Sequence, residues 1–178
     1  YLLADGGDAA LVDPGDPAVA LALARRHRVE PRWILHTHGH PDHTGGSARL
    51  RSELGARILG HGADAAAFAP DADVAGTAEL ALGGLRVAVH AAPGHTPGSV
   101  CLLDRASGRL FAGDTLFAGG WGRTDLPGGD PGAMVASLGR PGRPEDGVRV
   151  LPGHGPATTI GRERAWLEDV GRAGRLPG

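Results

Sequence analysis

The sequence contains one cysteine, no lysine, few aromatic residues and no long apolar run. Cys101 cannot form a disulfide within the chain, so we interpret it as a small core residue of a protein from a reducing compartment. No apolar stretch approaches the roughly 18 residues that a membrane-spanning helix requires, and no signal-peptide pattern precedes the first apolar segment. These absences predict a cytoplasmic protein that does not contact a membrane.

Basic charge does not form a patch in this sequence. All 18 basic residues are arginine, they are scattered along the chain, and the formal net charge is −2. Proteins that bind nucleic acid usually carry a cluster or stripe of basic side chains. We therefore expect no nucleic-acid partner and predict a small-molecule partner. The composition does not indicate an oligomeric state.

The length and the apolar pattern suit one layered α/β domain over residues 1–178. A chain of this size buries roughly 70% of its unfolded surface, which is enough for a layered core. The chain begins at Tyr1 inside an apolar hairpin pattern, "YLLADGGDAALVDPG", so we expect that an upstream strand has been trimmed. Strands then alternate with helices predicted near 17–28, before Gly55, and near 63–69, 131–138 and 161–173.

Each predicted strand with a polar end finishes in the same kind of residue. The segments "ILHTHGHPDH", "HAAPGHTPG", "LFAGDT" and "RVLPGH" place His or Asp just beyond an apolar run, beside glycine or proline. Loops at strand ends are where α/β folds build their sites. We expect these four segments to meet.

"HTHGHPDH" contains the highest density of metal-binding side chains. Alternate residues of an extended segment face one direction, so His38 and His40 can bind one ion. A turn at Pro41 would redirect Asp42 and His43 towards a second ion. Without a cation, clustered imidazoles repel one another on protonation or lose solvation on burial.

"THGHPDH" resembles the T-H-x-H-x-D-H signature of the metallo-β-lactamase fold superfamily, and "APGHTPGS", "LFAGDTLF" and "LPGHGP" follow in that family's order. The resemblance implies an α/β fold, a four-layer αβ/βα sandwich of two mixed β-sheets flanked by helices, with metals at one edge. It implies two metal ions with separate ligands and one shared carboxylate: His38, His40 and His95 for the first, Asp42, His43 and His154 for the second, and Asp114 for both.

The same resemblance implies two divalent ions, with zinc expected and iron or manganese accepted by this ligand set. Asp42 and Asp114 are the expected catalytic residues, because they hold the ions that would bind a bridging hydroxide. Asp13 in "LVDPG" matches a further family motif, and either supports the loops of the site or ends a turn.

"GRTD" followed by "PGGD" and "LPGHGP" resembles the short forms of the glyoxalase II-like (hydroxyacylglutathione hydrolase-like) branch. The resemblance implies a hydrolase that cleaves a thioester such as S-lactoyl-glutathione, with the bridging hydroxide attacking the acyl carbon. We expect Arg123 to bind a substrate carboxylate and Trp121 to pack on the acyl or thiol chain. Alternatively, Arg123 and Asp125 brace the loop through an ion pair.

Three other functions remain open. Persulfide dioxygenases share "GRTD" but bind a single iron, here through His38, His95 and Asp114. A β-lactamase would usually carry a different residue in place of Asp114, and a non-catalytic metal-binding module would not need every ligand. Full-length glyoxalase II enzymes bind glutathione through a C-terminal helical domain. We expect this chain to lack a counterpart of that domain, so the resemblance does not specify the thiol carrier.

Overall fold

Two mixed β-sheets face each other, with helices on their outer surfaces, in a computed structural model of the chain. The structure describes residues 1–140 and 144–177. Residues 141–143 and 178, which the predicted domain includes, lie outside the described residues. The sequence-based prediction of an α/β sandwich with two mixed sheets is confirmed.

The element bounds are as follows. The strands are β1 (Leu2–Asp5), β2 (Asp8–Val12), β3 (Trp33–Leu35), β4 (Arg57–Gly60), β5 (Ala72–Asp73), β6 (Glu79–Leu82), β7 (Leu85–Ala91), β8 (Val100–Asp104), β9 (Arg109–Gly113), β10 (Arg149–Pro152) and β11 (Thr158–Thr159). The helices are α1 (Pro17–His27), α2 (Pro41–Thr44), α3 (Ser47–Leu54), α4 (Pro131–Gly139), α5 (Ile160–Ala173) and a 3₁₀ helix (Gly62–Ala67).

The strand order brings several carboxyl ends to one edge. The first sheet has the order β1-β2-β3-β4-β5, in which β2 to β5 are parallel. The second sheet has the order β11-β10-β9-β8-β7-β6, in which β9 and β10 are parallel and β7 runs in their direction because β8 is antiparallel to both of its neighbours. The strands β7, β9 and β10 therefore end at the same edge.

The buried apolar side chains form three clusters, and two of them pack on opposite faces of the first sheet. The cluster between the sheets contains Leu35 of β3, Leu102 of β8 and Phe111 of β9. The neighbouring residue Ile34 faces the opposite side, where it packs in a cluster with Leu50 of α3. Side chains alternate across a strand, so each sheet buries one face against the other sheet and one against helices.

The helices begin where their capping residues predict. The Asp16 carboxylate accepts hydrogen bonds from the backbone amides of Ala18 (2.7 Å) and Val19 (3.1 Å), and Pro17 occupies the first helical position. A side-chain N-cap of this kind contributes about 1 kcal/mol. The predicted alanine-rich helix is present as a short 3₁₀ helix, and the turn predicted at Pro41 is the short helix α2. The short strands β5 and β11 had no pattern that predicted them.

Cys101 is buried on β8, with its thiol towards the backbone carbonyl of Ala112, and burial raises the pKa of this thiol to about 11. The prediction of a core cysteine is confirmed by this burial. A thiol with a raised pKa also stays protonated and unreactive near neutral pH. Among residues 1–140 and 144–177, no helix has the length and apolar character needed to span a membrane.

Candidate metal centre

The four His- and Asp-bearing segments meet at one edge of the two sheets. His38 and His40 follow β3, and Asp42 and His43 lie on the short helix α2, which begins at Pro41 as the predicted turn requires. The remaining candidate ligands follow the carboxyl ends of strands in the second sheet: His95 after β7, Asp114 after β9 and His154 after β10. The structure thus brings all seven predicted ligand side chains together.

The first subsite consists of His38, His40 and His95, whose nearest ligand atoms all lie within 4.8 Å of one another. Nδ1 of His40 is 2.8 Å from Nε2 of His95. The Nε2 atom of His38 is buried and has no hydrogen-bond partner among the described residues. Burial and the neighbouring His43 lower the pKa of His38 to about 2, so its imidazole is neutral, the form that binds a metal.

The second subsite consists of Asp42, His43 and His154, and its ligand atoms also lie within 4.8 Å of one another. Nε2 of His154 is 3.0 Å from Oδ2 of Asp42 and 3.4 Å from Nε2 of His43. The Asp42 and His154 side chains are 56% and 58% exposed, whereas His38 and His95 are buried. The second subsite is therefore the one that opens to solvent.

Asp114 lies between the two subsites. Its Oδ2 atom is 3.4 Å from Nε2 of His95 and 3.6 Å from Nε2 of His154, and its Oδ1 atom is 3.4 Å from Nε2 of His43. Burial raises the pKa of this carboxyl, although the charges of the three histidines oppose the shift. The Asp114 carboxylate therefore lies within 3.6 Å of histidines from both subsites.

Hydrogen bonds to the far ring nitrogens orient three of the histidines. Nδ1 of His95 is 2.7 Å from the carbonyl oxygen of Arg123, and Nδ1 of His43 is 3.0 Å from Oδ2 of Asp13. Nδ1 of His38 is 3.1 Å from Oγ1 of Thr37. In each case Nδ1–H donates, so the Nε2 lone pair faces the cluster, as in metal-binding histidines.

Asp13 supports the segment that carries His38 and His43, and it also begins a tight turn after β2, in which its carbonyl oxygen accepts the Gly15 amide at 3.0 Å. Its carboxylate accepts hydrogen bonds from the Thr37 amide (2.8 Å) and hydroxyl (2.5 Å), in addition to the bond from His43. Burial opposes ionisation, but hydrogen bonds from His36 and His43 outweigh it and lower the pKa of Asp13 well below its usual range. A buried carboxylate thus stays charged beside the histidines.

Divalent cations fit this arrangement. The buried Nε2 of His38 and Oδ1 of Asp114 have no hydrogen-bond partner among the described residues, and unpaired buried polar atoms of this kind cost roughly 1–3 kcal/mol each. A Cβ on Gly153 would lie 2.2 Å from Oδ1 of Asp114 and 2.5 Å from Cε1 of His43, so only glycine permits the chain to pass this close. The imidazole and carboxylate donors suit zinc, iron or manganese.

The predicted substrate-binding residues lie on the loop after Asp114. Arg123 forms an exposed bidentate ion pair with Asp125, with both nitrogen to oxygen distances 2.7 Å. The Trp121 ring packs 5.8 Å from the Trp166 ring of α5, against the core outside the second sheet. The structure therefore contains the bracing ion pair that was the alternative interpretation of Arg123.

Sequence reasoning missed several residues near the centre. The half-buried Phe117 lies beside the solvent-exposed second subsite, with its ring centroid 6.4 Å from that of His154. Thr37, which links Asp13 to His38, lies inside the conspicuous "THGHPDH" segment and could have been suspected there. Asp64 lies in an alanine-rich stretch that carries no local signal of a role.

The family follows from comparison with known proteins. Residues 1–154 match the metallo-beta-lactamase superfamily, and the chain belongs to it. Within the superfamily it belongs to the glyoxalase II-like branch, as its sequence motifs predicted. It is 57% identical over 176 residues to a hydroxyacylglutathione hydrolase from Anaeromyxobacter dehalogenans, a match that covers 98% of this chain and 68% of that relative. The prediction that the chain is a hydrolase is confirmed by the family and by this relative.

Solved structures share the fold over almost the whole chain. The B3 metallo-beta-lactamase BLEG-1 has a TM-score of 0.87 at 30% identity, covering 94% of this chain and 92% of that one. A di-iron-bound form of TTHA1623 has a TM-score of 0.80 at 37% identity, covering 93% and 91%. ETHE1 from Myxococcus xanthus has a TM-score of 0.85 at 30% identity, covering 97% and 79%.

Proposed function

We propose that this chain is a dinuclear metal-dependent thioesterase of the glyoxalase II type, which hydrolyses S-acyl thiols such as 2-hydroxyacyl derivatives of glutathione. The observation that carries the proposal is the position of Asp114 between the two subsites, 3.4 Å from His95 on one side and 3.4 Å from His43 on the other. The similarity to a hydroxyacylglutathione hydrolase supports the choice of substrate class.

In this proposal the first subsite would hold one divalent cation, the second subsite would hold another, and Asp114 would contact both. Zinc is the proposed metal, and the same nitrogen and oxygen donors accept iron or manganese. The chemistry that such a pair supplies is the activation of water near neutral pH and the polarisation of an acyl carbonyl.

The unequal exposure of the two subsites sets the direction from which substrate approaches. His38 and His95 are buried, whereas Asp42 and His154 face solvent. A substrate would therefore reach the centre across the second subsite, past Phe117 beside His154. We assign Phe117, in addition to Trp121, as an apolar contact for the acyl or thiol chain.

Arg123 is the proposed contact for a substrate carboxylate. Its ion pair with Asp125 is exposed on both sides, with side chains 61% and 69% accessible. Exposed ion pairs contribute little to stability, so the guanidinium can exchange Asp125 for a carboxylate of the substrate at small cost. A thiolate is a stable leaving group, so the proposal requires no general acid among the surrounding side chains.

The test is metal content per chain, measured on purified protein together with thiol release from S-lactoyl-glutathione. The proposal predicts close to two metals and metal-dependent thiol release. His154→Ala should lower metal content towards one and reduce turnover strongly. His61→Ala is the matched control, because His61 is not one of the seven predicted ligands and its ring caps the 3₁₀ helix by accepting the Ala63 amide at 3.1 Å.

Two results would overturn the proposal. One iron per chain, oxygen uptake with a persulfide substrate and full activity of His154→Ala would assign the single-iron dioxygenase function instead. Cleavage of a β-lactam without thioester hydrolysis would assign the activity named for the structural neighbour BLEG-1.

A further inference from the structure

The Asp64 side chain joins two loops that are far apart in the sequence. Asp64 lies on the 3₁₀ helix after β4. Its Oδ2 atom accepts hydrogen bonds from the backbone amide of Gly39 at 2.8 Å and from the hydroxyl of Thr96 at 2.6 Å. Its Oδ1 atom accepts the amide of Gly98 at 3.0 Å.

These three donors flank the ligands of the first subsite. Gly39 lies between His38 and His40, and Thr96 directly follows His95. The two loops meet where Nδ1 of His40 approaches Nε2 of His95 across 55 residues of sequence. The Asp64 carboxylate therefore fixes the loop that carries His38 and His40 relative to the loop that carries His95.

Close approach at two glycines shows how tightly Asp64 is enclosed. A Cβ on Gly98 would lie 2.6 Å from Cγ of Asp64, and a Cβ on Gly39 would lie 3.0 Å from its Cβ. Both distances are shorter than ordinary contacts between side chains. A side chain at position 98 would collide with the Asp64 carboxyl group, and one at position 39 would crowd the Asp64 side chain, so glycine at both positions lets the loops approach it closely.

We infer that Asp64 is a positioning residue that sets the metal affinity of the first subsite and leaves the second subsite unchanged. This inference rests on the proposed metal centre. Hydrogen bonds to an ionised carboxylate are roughly twice as strong as neutral ones, and loss of residues that orient metal ligands typically weakens metal binding about 10–100-fold. Within the described residues, the hydrogen bonds of the Asp64 side chain go only to the two loops of the first subsite.

The test compares Asp64→Asn with the wild-type chain in Zn²⁺ titrations against a chelating indicator, without substrate. Asn keeps the shape but replaces one acceptor oxygen with a donor. We expect one of the two binding steps to weaken about 10–100-fold and the other to change less than about twofold. Repeating the titration in a His154→Ala background, where the first subsite is intact, assigns the weakened step to that subsite.

Asp73→Ala is the matched control. Oδ1 of Asp73 accepts the amides of Gly62 and Ala75, both at 2.8 Å, so it ties down the same segment without touching the histidine loops. Asn would keep this acceptor oxygen, whereas Ala removes it and loosens the start of the 3₁₀ helix. If such loosening were the cause of weaker metal binding, Asp73→Ala would show it as well. We expect Asp73→Ala to bind both ions like the wild-type chain.

A second pair of variants tests the same contact from its other side and does not depend on the folding of Asp64→Asn. Thr96→Val removes the hydroxyl that donates to Asp64, and Thr96→Ser retains it. Weakened binding in the valine variant and recovery in the serine variant are expected. Unchanged binding in Asp64→Asn and Thr96→Val, or equal weakening of both steps, would overturn the inference.

The result is distinguishable from failure of the proposed function, because binding is measured without turnover. If the wild-type chain binds two ions but cleaves no thioester, the inference is judged on the titrations alone. If it binds a single ion through His38 and His95, Asp64→Asn should weaken that one step, and an unchanged affinity would overturn the inference.

Discussion

His95 and Arg123 are joined through the backbone: Nδ1 of His95 lies 2.7 Å from the carbonyl oxygen of Arg123. This bond leaves Nε2 of His95 facing Asp114 at 3.4 Å. The orientation of a candidate metal ligand thus depends on the path of the loop that carries Arg123. The Arg123 side chain points instead to Asp125, so its contribution can be removed without losing the backbone contact.

Replacing Arg123 with alanine should raise KM for an acidic thioester about tenfold while kcat changes little. A hydrogen bond to a charged group contributes on the order of 1.5–3 kcal/mol, and an interaction that binds ground state and transition state equally appears in KM. Steady-state kinetics with S-lactoyl-glutathione and with a thioester that lacks carboxylates would measure the change. Only the acidic substrate should be affected.

Asp125→Asn separates substrate binding from loop bracing. This variant breaks the ion pair but keeps the guanidinium of Arg123. If Arg123 binds substrate, KM should stay the same or fall, because the arginine loses its competitor. Equal kinetic defects in Arg123→Ala and Asp125→Asn would instead assign the pair a bracing role.

Asp114→Ala should lower metal content and turnover together. The carboxylate lies between both subsites, so its loss removes a ligand from each, and kcat/KM should fall more than about 100-fold. Elemental analysis and thiol release on the same sample measure both quantities. Full activity with two metals bound would remove the bridging assignment.

Asp13→Asn should weaken metal binding or kcat/KM about 10–100-fold. Asp13 has a left-handed backbone (φ 47°), which asparagine tolerates, so the substitution changes the carboxylate without straining the turn. In Asp13 one oxygen accepts from the His43 ring and the Thr37 hydroxyl, and the other accepts from the Thr37 backbone amide. Asparagine has one acceptor oxygen, so it can satisfy only one of these two sides.

The matched control for Asp13→Asn is Asp16→Asn. Asn caps a helix as well as Asp does, so α1 should keep its stability and the centre its affinity. Equal affinities in Asp13→Asn and the wild-type chain would show that the carboxylate does not orient His43.

Glu163 should make the stability of the fold pH-dependent in acid. This buried carboxylate accepts hydrogen bonds from the Thr158 hydroxyl (2.5 Å), the Trp166 indole (2.6 Å) and the Gly119 amide (2.8 Å), which ties α5 to the loop after Asp114. Burial opposes ionisation, but these hydrogen bonds outweigh it, so the pKa of Glu163 is lowered from its usual 4.5. The folded chain therefore binds fewer protons at this group than the unfolded chain.

The stabilisation from Glu163 is complete above pH 4.5 and is lost as the pH falls through the lowered pKa. Glu163→Gln should reduce the free energy of unfolding by about 1–3 kcal/mol at pH 7. The difference from the wild-type chain should shrink below pH 4.5. Urea unfolding of both proteins at several pH values measures this, and a difference that does not vary with pH would show that ionisation is not the cause.

Local sequence determined where helices begin and how the four candidate ligands of one segment are arranged. Pro41 follows an extended segment and begins a helical turn, so "HTHGHPDH" places His38, His40, Asp42 and His43 in two directions within six residues. Capping residues such as Asp16 likewise set helix starts, because they act on amides two or three positions away. The motifs also predicted the family, since their order along the chain reflects the order of the strands.

Tertiary structure alone decided which distant carboxylates hold these ligands and the loops around them. Asp64 reaches Gly39 and Gly98, Asp13 reaches His43, and Glu163 reaches Gly119, in each case across at least 25 residues. No periodicity or motif encodes such pairs, because a single carboxylate in a loop looks the same whether it faces solvent or two backbone amides. These partners become fixed only when the two sheets pack and their strand ends share one edge.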